Sequence, residues 1–139
     1  MEYPIYERDL EYPYYKRDMD MIREILFVYG GLASDQIRND FFKRLEEYDH
    51  KLHFHILLLR DAGFLLCHQT KDQQKNLTFA IYITQLTWNG YDLLESIKDE
   101  GIWKKTKETC QTVGSFSIPI IQKIAAQLLA ESIRTIFKP

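Results

Sequence analysis

The chain has 139 residues, 45% of them hydrophobic and 27% charged, with a formal net charge of −2, which is the profile of one ordinary globular domain with enough chain to bury a core. The near-neutral balance does not advertise a strongly basic nucleic-acid binder, and no apolar run approaches the roughly 18 to 20 residues that span a bilayer. Two cysteines, Cys67 and Cys110, make no disulfide framework, so the expected setting is the cytoplasm, with reduced thiols and no membrane.

The charges are unevenly spread. Residues 1–34 carry four basic and seven acidic side chains, residues 35–76 seven of each, and residues 98–139 seven basic and four acidic. The chain opens with one nine-residue phrase written twice, Glu2 to Leu10 and Glu11 to Met19, differing only at Ile5/Tyr14, Glu7/Lys16 and Leu10/Met19. Only the second copy leads into a helix: Met19, Ile22, Ile25, Leu26 and Tyr29 recur at helical spacing, Asp18 is placed to cap, and Gly30 and Gly31 stop it. In the first copy Pro13 interrupts any helix begun at Asp9, so residues 1–15 read as an arm outside the packed domain.

A second helix is expected in "ASDQIRNDFFKRLEEYD", capped by Ser34 or Asp35 with Ile37, Phe41 and Leu45 at four-residue intervals; a strand over part of "DFFKRLEEYD" is the rival reading. Asp49 caps a third helix ending near Gly63. Phe64 to His68 then reads as a strand, "TKDQQKN" as a polar turn, Leu77 to Leu86 as a second strand, and Thr87 as the cap of another helix. Helix, strand, hairpin, strand, helix is the order of a winged helix-turn-helix. The fold class is therefore α+β, mainly helical, with a two-stranded wing and extra C-terminal helices: arm 1–15, winged-helix domain 16–98 and helical extension 99–139.

Two phrases carry a resemblance. "HILLLRDAGFL" resembles the phrase at the recognition helix of small bacterial winged-helix repressors of the arsenic-sensor type, and "LTWNGYDLL" is similar to the Leu-Thr-x-x-Gly stretch that follows the wing in many such regulators. More broadly, "KRDMDMIREIL", "FHILLLRDAGFL", "LTWNGYDLLESIKDE" and "IWKKTKE" in that order resemble a family of short, functionally uncharacterised proteins of bacteria and their phages, over residues 16 to about 120. Members of that family usually begin near the Lys-Arg-Asp stretch, so residues 1–15 depart from its pattern. The resemblance implies no activity.

On a 100° helical count centred on Leu52, Ile56, Leu59 and Gly63 face inward, while His50, His53, Phe54, Leu57 and Asp61 face outward. Two partner classes follow. If the domain binds double-stranded DNA as a transcriptional regulator, Lys51 and His53 at the start of the helix and Lys71, Gln73, Gln74, Lys75 and Asn76 on the wing are the expected contacts. If it docks a host or phage protein instead, His50, Phe54 and Leu57 form the expected patch, since a helix apolar nearly all round has its second face covered. A zinc site built from "HKLHFH" and Cys67-His68 is disfavoured because the three helical histidines do not share one face. No cofactor is expected. The absence of a nucleophile-base pair, phosphate loop or paired-carboxylate motif points away from an enzyme.

The last third reads as two helices. "DEGIWKKTKETCQ" carries Lys104, Lys105 and Lys107 with Trp103, and "SIPIIQKIAAQLLAESIRTIF" starts at Ser117 with Pro119 in its first turn. Its apolar residues, Ile120, Ile124 and Leu128 among them, are the expected surface of a homodimer.

Overall fold

The computed structural model describes residues 16–72 and 77–137. Along them run α1 (Met19–Tyr29), α2 (Asp35–Glu46), α3 (His50–Asp61), β1 (Leu65–Asp72), β2 (Leu77–Leu86), α4 (Trp88–Ile97), α5 (Glu100–Val113) and α6 (Ile118–Ile136). The protein is a mainly helical α+β chain with one antiparallel two-stranded sheet. The expected arm 1–15 and the hairpin residues Gln73, Gln74, Lys75 and Asn76 lie outside the described residues.

Helix starts follow from capping side chains. Asp18, Ser34, Asp49, Asp99 and Ser117 each accept a bond from the backbone N–H three residues on, an arrangement that contributes about 1 kcal/mol per helix. The strand alternative for "DFFKRLEEYD" is not adopted, because the Ser34 cap starts a helix that continues to Glu46. Its apolar spacing is only partly used: Phe41 is fully buried, whereas Ile37 remains 47% exposed. Tyr29, Phe41 and Phe42 meet edge to face at centroid distances of 5.3 to 6.0 Å and join α1 to α2. Arg44 adds a 2.6 Å ion pair to Glu24 across the same two helices.

Three residues, Glu47, Tyr48 and Asp49, turn α2 into α3. Tyr48 takes a left-handed φ of 58°, its N–H donates to the Leu45 carbonyl and the Asp49 N–H donates to that of Arg44. This is the Schellman closure of a helix C-terminus, and Asp49 then caps the next helix. β1 runs to Asp72, four residues past the expected His68, paired from Leu65↔Leu86 to Asp72↔Leu77 with register shifts near Cys67 and Thr70. The ten-residue β2 supplies ladder bonds that hold the polar "QTKD" run extended.

The chain forms two compact units, one up to Tyr91 and one from Asp92. In the first, α1, α2 and β1 all pack on α3, around a core that includes Ile22, Ile25, Leu26, Phe41, Leu52 and Ile56. In the second, α5 packs on α6, with Trp103, Cys110, Ile121 and Ala125 buried. Among the described residues no helix is long and apolar enough to cross a membrane.

Candidate functional site

Asp18, just ahead of α1, is tied to Lys51 and His55 on α3, more than 30 positions further along the chain. The Asp18 backbone N–H donates to His55 Nε2 at 2.8 Å, and His55 Nδ1 lies 2.8 Å from the Lys51 carbonyl. A backbone N–H only donates and a carbonyl only accepts, so Nε2 is bare and Nδ1 carries the ring's proton. His55 is fully buried. Burial holds the ring below its ordinary 6.5, against the Lys51 carbonyl bond and the Asp18 charge, which favour the protonated form.

Asp18 does three things at this junction. One carboxylate oxygen accepts the Met21 N–H at 3.1 Å and caps α1, the other accepts Lys51 Nζ at 2.9 Å, and the backbone N–H goes to His55. Burial acts to raise its carboxyl, but the bonds from Lys51 and Met21 outweigh this and hold it below its ordinary 3.8. Lys51 therefore spends its charge inside the chain although its side chain is 42% exposed. Arg60 with Asp61, Arg38 with Asp35 and Arg44 with Glu24 are likewise paired.

The expected outward face of α3 is only partly exposed. His50 and Asp61 are exposed, and Phe54 is half-buried with its ring edge-on to His55 at 5.6 Å. Leu57 and His53 are buried instead, correcting the expectation that both face outward. The reason is that α1, α2 and β1 surround α3, so its covered arc is wider than one packing surface needs. His53 lies 3.2 Å from the Leu45 carbonyl, to which Nε2–H donates, and its ring lies beside Tyr48 at 5.9 Å. Gly63, expected inward, is exposed in the turn after α3.

Lys71 stands on β1 opposite Thr78; the other expected wing contacts, Gln73, Gln74, Lys75 and Asn76, lie outside the described residues. Ile120, Ile124 and Leu128 are half-buried on α6, while every residue from Ala130 to Phe137 is exposed. Among the described residues no three His, Cys, Asp or Glu side chains are placed to hold a metal. Cys67 and Cys110 are free, and burial raises both thiols, so they are protonated at neutral pH.

The motifs "DAGF" and "LTWNG" prove to be two halves of one contact. Thr87 Oγ1 donates to the Gly63 carbonyl at 2.6 Å and accepts the Gly90 N–H at 3.1 Å, while the Thr87 N–H donates to the Phe64 carbonyl at 3.1 Å. A Cβ on residue 90 would stand 2.2 Å from the Phe64 oxygen, so only glycine allows this approach. Trp88, beside this contact, is 82% exposed, and Tyr91 is also exposed.

These features define a small helical protein with a hairpin, whose most specific sequence phrases serve to lock the hairpin's base between α3 and α4. The chain belongs to the DUF2513 family of hypothetical proteins, whose model matches residues 16–117. The match takes in all four phrases that carried the expected membership of an uncharacterised family, and it begins where the duplicated phrase passes into α1. No curated protein and no solved structure matches the chain.

Proposed function

We propose that the first unit is a winged helix-turn-helix that binds double-stranded DNA as a transcriptional regulator, with α3 entering the major groove and the β1–β2 hairpin as wing. The observation that carries this reading is the succession of α2, a three-residue turn, α3 and an antiparallel hairpin, which is how helix-turn-helix readers present one helix to a groove. His50 and Lys51 lie at the end of α3 that such a reader places against DNA, and Lys71 lies on the wing. Binding exchanges the Asp18 partner of Lys51 for a phosphate. In the same reading the chain is a homodimer through α6, which suits a two-fold symmetric site.

Titration of the whole chain with labelled duplex over a salt series tests this. Affinity is expected to fall steeply as salt rises, and Lys71→Ala with Lys75→Ala should flatten the log–log slope by about two units. A folded protein with no salt-sensitive duplex binding at low ionic strength rules the reading out.

A second reading, a protein-docking winged helix, is favoured by the ion pairs that occupy Lys51, Arg60, Arg38 and Arg44 and by exposed Trp88 and Tyr91, since aromatic side chains anchor protein interfaces. On α3 its patch reduces to His50 and Phe54, because Leu57 is buried. It expects weak salt dependence, with Phe54→Ala costing on the order of 2 kcal/mol of binding.

A further inference from the structure

We propose that His55 is a proton-released latch: the neutral ring fastens the chain at Asp18 to α3, and a proton on Nε2 opens the start of α1. The ring is fully buried and uses both nitrogens, one as acceptor for the Asp18 N–H and one as donor to the Lys51 carbonyl, each at 2.8 Å. Adding a proton to Nε2 sets N–H against N–H across the first of these bonds. A backbone donor cannot turn into an acceptor, so the ring and residue 18 must separate.

What leaves is more than one bond. Asp18 is the residue whose carboxylate caps α1 and holds Lys51, so displacing its backbone uncaps the helix and frees the lysine together. Among the described residues the charged groups that face the ring are Asp18 and Arg17, ahead of α1, and Lys51 on α3; Asp18 favours the proton, whereas Lys51 and Arg17 oppose it. The charged side chains of α2 are exposed or paired with Glu24 or with each other. On β1, Leu65, Leu66 and Cys67 carry no charge, the last being held as a thiol by burial.

Since the ring is harder to protonate closed than open, acidification favours the open form. The latch is fully shut above 6.5, the ordinary value, and loosens as pH falls from there to the ring's own lower value in the closed state. Opening is local, a release of the first turn of α1, while the rest of the first unit keeps its core.

Nitrogen-15 spectra of the histidine rings, with amide hydrogen exchange of the full chain between about pH 8 and pH 4, test the latch. Above 6.5 His55 should show the proton on Nδ1. The protection factor of the Asp18 amide should fall about tenfold per pH unit below 6.5, down to the ring's own value. The Trp103 amide, bonded to the Asp99 carbonyl in α5, should keep its protection. His55→Gln, which accepts without titrating, should hold Asp18 protected across the range, and His55→Leu should leave it unprotected throughout. Should either variant fail to fold, the wild-type titration decides alone. A neutral ring protonated on Nε2 overturns the proposal. So does Asp18 protection that ignores the ring's titration, as happens if the protonated ring turns to the Asp18 carboxylate, and so does a ring that titrates only when the whole chain unfolds.

Discussion

Tyr48 occupies a left-handed position, φ 58°, of the kind that Gly63 fills with φ 86° in the matching closure after α3. A side chain there costs roughly 1 to 2 kcal/mol against glycine, offset in part by the ring contact with His53. Tyr48→Ala loses the ring and keeps the strain, whereas Tyr48→Gly loses both, so urea denaturation should find the glycine variant about 1 kcal/mol the more stable of the two. At residue 90 glycine is already in place and is required. Gly90→Ala forces a Cβ against the Phe64 carbonyl and should destabilise by about 2 kcal/mol or more, while Thr87→Ala, which removes a cap and a bond to Gly63, should cost about 1 kcal/mol. Asp18 adds a second acid-sensitive contribution: with the start of α1 closed its carboxyl sits below 3.8, so in that closed form the contribution of the carboxylate is complete above that value and is lost as pH falls through the folded one.

The element most changed by tertiary structure is α3. A single-sided helix leaves the residues opposite its core free; three neighbours leave His50 and Asp61 exposed and Lys51, Phe54, Leu58 and Arg60 partly so. Leu57→Ala should therefore cost about 2 to 4 kcal/mol of folding stability by opening a cavity. Phe54→Ala should cost less, and the comparison by thermal or urea unfolding separates a core position from a surface one. The α2–α3 turn shows economy of another kind, since Asp49 both completes the closure of α2 and caps α3. Lengthening that turn would break both functions at once.

For the whole molecule, the two units divide within α4, and the C-terminal end of α6 with its cap leaves Ile133, Ile136 and Phe137 exposed. The homodimer proposed through this helix predicts twice the 16.6 kDa chain mass in light scattering at high concentration. Ile124→Glu with Leu128→Glu should lower it toward one chain. Shortening the chain after Ala130 removes the exposed last turns of α6, so it should leave the monomer folded; a mass of one chain for the intact protein at all concentrations dismisses the homodimer.

Local chemistry was legible in the residues alone. The caps Asp18, Asp49, Thr87 and Ser117, the stop at Gly30 and Gly31, and the bounds of β2 depend on neighbours a few positions away, and period and turn chemistry report those directly; for α2 they narrow the cap to Ser34 or Asp35, of which Ser34 takes it. The family phrases marked where the specific contacts would be without saying what they touch. Tertiary structure decided what periodicity cannot express: that α3 is enclosed on three sides, that Lys51 is paired with Asp18, and that "DAGF" meets "LTWNG". It also decided that a buried histidine accepts a backbone bond from a residue 37 positions earlier. Each of these joins groups whose separation along the chain is long, and only the folded packing of α1, α2, α3 and the hairpin brings them within reach of one another.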